Sequence, residues 1–260
     1  MKLDPSAGIV VEVRWLVAIA LAGCGRFGFE APAEDALASD TNGADVMAGP
    51  CDPPRKLCDG FEGSSLHARW LSPGTGITLD STRAHRGTSS LHAHSDALAV
   101  GVDGYVAISE STVLPQQDAT VHVRAWVQFD QMPLNNMGMI AAVQNNAGQT
   151  EVGVFLISTA LTVYSQFEER SRETPAPPAL STWLCLQWTI VRSQTNGSLT
   201  LAGDAGAAAL SSVQTEGNAG LSDFEIGISF AGDSVTVPQP AMDVWIDDLV
   251  VSTAPITCAD

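Results

Sequence analysis

Between residues 121 and 129, apolar side chains fall on every second position. Val121, Val123, Ala125, Val127 and Phe129 share one parity, and His122, Arg124, Trp126 and Gln128 share the other. A period of two over this length predicts a β-strand with one face on a core and the other turned away from it. Runs of similar texture at 77–81, 101–110, 139–144, 151–158, 161–167, 183–192, 198–201, 224–230 and 244–252 predict further strands, and 84–94 reads as a turn entering another. Asn145-Asn146-Ala147-Gly148 and Asn196-Gly197 are hairpin signals, because these residue types tolerate the positive φ that tight turns require. Pro175, Pro177 and Pro178 mark a loop, since proline fixes φ and removes an N–H donor. No segment carries an apolar stripe at helical period for more than two turns. About ten to twelve short strands with turns between them predict an all-β chain, an antiparallel two-sheet β-sandwich.

The first 50 residues break this texture. Lys2 and Arg14 precede the apolar run from Trp15 to Leu21, which ends in Ala22-Gly23-Cys24. A charged start, an apolar run and small residues before a cut site describe a secretory signal over 1–23, although Asp4, Pro5 and Glu12 are unusual in one. Leu21-Ala22-Gly23-Cys24 resembles the lipobox of bacterial lipoproteins, which implies lipidation at Cys24. Gly25 rather than Asp after that cysteine implies an outer-membrane destination. Residues 24–50 are rich in Ala, Gly and acids (Glu30, Glu34, Asp35, Asp40, Asp45) and read as an acidic tether. The folded domain is then 51–260.

Charge and cysteines narrow the partners. A formal net charge of −17 repels nucleic acid, anionic membrane surfaces and polyanionic sugars, so contact with a membrane is expected only through the lipid. No run reaches the about 18 apolar residues of a membrane-spanning helix. Setting Cys24 aside leaves Cys51, Cys58, Cys185 and Cys258, an even set that suggests two disulfides in an exported chain. Three connectivities are open. Two of them, with a bond from Cys51 or Cys58 to Cys258, would tie the domain's ends together if its first and last strands are neighbours.

Several short motifs look familiar. Phe61-Glu62-Gly63, then Trp70, then Ala84 to Leu91 resemble the opening of jelly-roll carbohydrate-binding domains. Val123 to Val127 and Val244 to Val251 match the same scheme. Trp183 to Trp188, followed by a hairpin, is more similar to the concanavalin A-like lectin/glucanase superfamily, which includes laminin G-like domains and jelly-roll polysaccharide lyases. The resemblance spans residues 58–252 and implies a jelly roll. It also implies a structural calcium joining the first and last strands through Glu62 and one or both of Asp247 and Asp248, with Asp59 or Asp80 adding oxygens toward the six to eight that calcium takes.

Sugars are gripped by aromatic rings against C–H faces and by planar amide, guanidinium and carboxylate groups on hydroxyls. If the outer parities of neighbouring strands share one sheet, His122, Arg124, Trp126 and Gln128 join Tyr164, Gln166 and Gln187 in a ligand face. Trp70, Trp183, Trp188 and Trp245 are expected in the core or at sheet edges. His92 and His94 put two imidazoles on one strand face, a spacing that metals use and that solvated pairs show more often.

The expected function is a surface-anchored lectin-like domain that binds a polysaccharide or other glycan without catalysis. A glycoside hydrolase needs two carboxylates flanking the scissile bond, and the single-strand Glu-x-Asp-x-x-Glu pattern of the related glucanases is absent. A polysaccharide lyase needs a charge neutraliser and a base, for which Arg124, His122, Gln166 and Tyr164 have suitable chemistry, but its Gln-x-His motif is absent too. A structural or adhesive envelope protein is the third class.

Overall fold

The computed structural model describes residues 51, 53–71, 75–115, 119–144 and 150–259. The signal segment, Cys24, the tether and the Asn145-Asn146-Ala147-Gly148 turn lie outside them. Within them the only helical turn is a 3-10 turn at Gly232–Ser234, and everything regular is strand.

One sheet is built from β1 (Arg55–Asp59), β2 (Ile77–Asp80), β3 (Ser90–Ser95), β5 (Thr120–Phe129), β10 (Leu184–Val191), β11 (Gly197–Gly203), β12 (Ala208–Val213) and β14 (Met242–Ser252). Its order is β12-β11-β10-β5-β14-β3-β2, with β1 also on β14. The second holds β4 (Gly104–Glu110), β6 (Met137–Gln144), β7 (Thr150–Ile157), β8 (Ala160–Ser165), β9 (Arg170–Glu173) and β13 (Asp223–Phe230), in the order β4-β13-β6-β7-β8-β9. All pairings are antiparallel. The molecule is therefore an antiparallel two-sheet sandwich, as the alternation predicts, and a jelly roll, as the resemblance implies.

Val121, Val123, Ala125, Val127 and Phe129 are all buried between the sheets, where each large side chain contributes about 1.5–3 kcal/mol. They meet Val152, Val154 and Leu156 of β7 and Ile226 and Ile228 of β13 in one core. Trp70, Trp188 and Trp245 are buried and Trp183 is half-buried, matching expectation. The Asn196-Gly197 turn joins β10 to β11.

Three strands escaped the sequence reading. β9 has all four residues exposed, β12 is short and rich in small residues, and β1 mixes charges with Cys58. Each lies on a sheet edge or pairs along only part of a neighbour, where backbone hydrogen bonding rather than side-chain alternation defines the strand.

β14 is the organising strand of the larger sheet. One edge pairs with β5 throughout, while the other pairs with β3 over Met242–Ile246 and with β1 over Leu249–Ser252. At the change of partner the register against β5 slips and Asp248 takes a positive φ of 47°, a conformation Asp tolerates better than most residues. First and last strands are thus neighbours, but through backbone. The disulfides are Cys51–Cys58, within the opening segment, and Cys185–Cys258, which pins the C-terminal tail to β10. Neither Cys51 nor Cys58 reaches Cys258.

Candidate functional site

The seven residues expected to share a ligand face are divided between two sheets. His122, Arg124, Trp126 and Gln128 on β5 and Gln187 on β10 lie on the outer side of the eight-stranded sheet, with Gln187 opposite Arg124. Tyr164 and Gln166 belong to β8 and its end, in the other sheet. The prediction that 183–192 flanks β5 holds; the prediction that 161–167 does so is corrected.

The outer side of β5 is also covered. His85, from the β2–β3 loop, stacks on Trp126 with ring centroids 3.6 Å apart and 11° between planes, and Trp183 meets His85 edge-on at 6.0 Å. Arg124 donates to the Asp248 carbonyl at 3.4 Å and is only 7% exposed. His122 hydrogen-bonds Thr189 Oγ1 at 2.9 Å, and burial pushes its pKa down. Gln128 is buried, and the Gln187 amide reaches Cys258 Sγ at 2.9 Å. A loop above and a disulfide-anchored tail beside it leave this strand a packed wall rather than an open groove.

The carboxylates suggested for calcium hold that covering loop instead. Glu62 accepts from Thr88 N–H and O–H, both at 2.7 Å, and Asp247 Oδ2 accepts from His85 N–H and Arg86 N–H at 2.7 and 3.2 Å. The His85 imidazole N–H donates to Asp248 Oδ2 at 2.7 Å. Burial pushes the Asp247 carboxyl up to about 7, against the pull of three backbone N–H donors. Gly87 sits in this loop at φ 72°, and a Cβ there would strike the Glu62 carboxylate. Asp59 and Asp80 accept the indole N–H groups of Trp70 and Trp245 at 2.6 and 2.8 Å. These acids do not fit a calcium ion as they stand: donors face them, and no group of three or more His, Cys, Asp or Glu able to hold a metal occurs among the described residues. The same holds for His92 and His94, both of which donate to Asp243 Oδ1 at 2.8 Å. Burial raises the Asp243 pKa, but those two hydrogen bonds outweigh it and the net shift is downward.

The open concavity is on the other sheet. A groove of about 930 Å³ crosses the outer side of the six-stranded sheet. Two glycines lie against its Phe155. A Cβ on Gly153 would lie 2.9 Å from the Ile140 carbonyl and 3.0 Å from the Phe155 ring, and one on Gly138 would lie 3.3 Å from that ring. These glycines let Phe155 lie across the floor, where Tyr164 meets it edge-on with centroids 5.4 Å apart. Tyr105, 47% exposed, forms the opposite wall on β4. Gln166 is braced by its own backbone N–H on the Glu151 carbonyl and by its amide oxygen, which accepts the Glu151 N–H at 3.1 Å.

Glu151 on β7 and Glu225 on β13 face this groove from either side of β6. Burial pushes the Glu151 carboxyl up to about 7, and the neighbouring Glu225 adds to it. Glu225 is raised by burial, held back by the Tyr105 hydroxyl that donates to it, and raised further by Asp223. Sequence reasoning missed this pair because it looked for two acids on one strand. The available signal was Glu151-x-Gly153 and Glu225-x-Gly227, acids on outer parities next to glycines.

No protein-family model and no curated protein matches the chain. Among solved structures it is similar to the cellulose-induced protein Cip1, at 14% identity over 78% of this chain and 99% of that one, with a TM-score of 0.58. Weaker likenesses include an alginate lyase from Chlorella virus (9% identity, 71% and 93% covered, TM-score 0.48) and one from Corynebacterium sp. (11%, 70% and 82%, 0.48). At these identities the comparison bears on architecture alone: the chain has a two-sheet jelly-roll fold.

Proposed function

We propose that the protein binds a saccharide chain along the groove of the six-stranded sheet, without catalysis, and is displayed at a bacterial envelope on a tether lipidated at Cys24. The groove itself carries the reading: the rings of Phe155, Tyr164 and Tyr105 line it together, with a braced amide at Gln166. Aromatic faces take pyranose C–H surfaces and planar groups take hydroxyls. The same fold occurs in a protein named for induction by cellulose, which supports a carbohydrate setting.

Titration calorimetry with a panel of oligosaccharides tests it. Tyr164→Ala removes one wall and weakens binding about 2- to 12-fold, the worth of one aromatic contact. Trp126→Phe, on the far sheet, leaves affinity unchanged. Loss with Trp126→Phe and none with Tyr164→Ala would move the site to the eight-stranded sheet and overturn the assignment.

One observation favours hydrolysis as a second reading on this groove: Glu151 is held near neutrality opposite a second carboxyl. Two such groups are what an acid–base pair requires. Reducing ends released from a bound oligosaccharide, and abolished in Glu151→Gln, would put catalysis in place of simple binding.

The anchor has its own readout. Intact-mass and peptide analysis of protein expressed with its leader is expected to find the mature chain starting at a diacylglyceryl-modified Cys24. A mature N-terminus elsewhere, with an unmodified Cys24, would remove the lipid from the proposal.

A further inference from the structure

Resting on the saccharide reading of the groove, we infer that its ligand is cationic: a chain of amino sugars bearing unsubstituted ammonium groups. The lining carries Asp103, Glu151, Glu169, Glu173, Glu225 and Asp233, and no Lys, Arg or His is among its residues. One nearby cation is turned to other partners. Arg170, beside the groove on β9, pairs with Glu168 at 3.2 Å and donates to the Ser212 carbonyl at 3.0 Å.

The negative field converges where a sugar would lie. The Tyr105 hydroxyl is shifted upward by burial and then by Glu225, Glu151 and Asp223. The Tyr164 hydroxyl is shifted upward by burial and then by Glu169, Glu151 and Asp233. Two aromatic walls, on β4 and β8, therefore each look onto several carboxylates, with Glu151 common to both. Like charges gathered in a concave, partly desolvated site raise one another's cost of ionisation, and a bound cation relieves it. An amino sugar supplies both halves of the complement, a C–H face for Phe155 and Tyr164 and an ammonium for the acidic lining, Glu225 and Asp233 among it. A uronate chain supplies the first and is repelled by the second.

Calorimetry near pH 6, where such amines are protonated, separates the cases with four probes: an oligomer of glucosamine, its N-acetylated counterpart of equal length, an oligouronate, and oligolysine. N-acetylation keeps the ring and removes the charge, so the ratio of the two dissociation constants reads charge selection directly. The glucosamine oligomer is expected to bind at least about 10-fold more tightly than the acetylated one. That ratio should collapse toward unity in high salt, where the Debye length falls to about 3 Å at 1 M. It should also collapse in a Glu225→Gln/Asp233→Asn double variant, while circular dichroism keeps the fold in view.

Equal binding of both oligomers, lost together in Tyr164→Ala, would overturn charge selection and leave the saccharide site standing. Tightest binding of the oligouronate would overturn the sign of the field. Binding of oligolysine with no saccharide binding would overturn both readings and make the groove a site for cationic peptide.

Discussion

Glu216→Ala is expected to destabilise the protein by about 3–5 kcal/mol, read as a lower urea midpoint with unchanged slope. Its carboxylate accepts from Arg192 Nε at 2.7 Å, and the two side chains are 0% and 1% exposed. The guanidinium also donates to the Pro115 carbonyl and, at 3.5 Å, to that of Leu221. One buried cation thus joins the segment before β5, the end of β10, the segment after β12 and the approach to β13. Removing the carboxylate strands that cation away from water, and the large effect comes from its unpaired charge rather than from the pair's net worth. The double variant Arg192→Met/Glu216→Leu should recover a substantial part of the loss. Recovery is incomplete because two carbonyls lose their donor. A single-variant loss under about 1 kcal/mol, or a double variant less stable than Glu216→Ala, would refute this account.

How much of the molecule could be read in advance differs between its interior and its outer sides. Period-two alternation predicts which side of β5 is buried, and that half of the reading holds at all five positions from Val121 to Phe129. The same alternation says only that His122, Arg124, Trp126 and Gln128 avoid the core. It cannot say whether solvent or a loop lies beyond them. The answer depends on His85, which sequence alone places in a turn, and on Cys258, whose partner is set by strand order. Parity is equally silent about which sheet a strand joins, and so Tyr164 and Gln166 were placed beside β5. The familiar acids Glu62, Asp247 and Asp248 do gather around one loop, as a shared role implies, but they serve as acceptors for its N–H groups. Glu151 and Glu225 could not be paired before β6 was known to run between β7 and β13.

The groove's acids set a stability cost that one substitution should remove. Glu151 has its pKa pushed from an ordinary 4.5 to about 7 by burial and by Glu225. Between those values the folded protein holds a proton that the unfolded chain has released, so stability falls as pH rises through the window and levels off above 7. Below pH 4.5 both states are protonated and the penalty vanishes. The interval corresponds to about 3 kcal/mol, trimmed toward about 2 by the partial solvent access of a half-buried side chain. Glu151→Gln keeps the shape and cannot ionise. Its stability is therefore expected to match the parent near pH 4 and to exceed it by about 2–3 kcal/mol at pH 8, in urea titrations run at both. Parallel pH profiles for the two proteins would show that the groove does not strain this carboxyl.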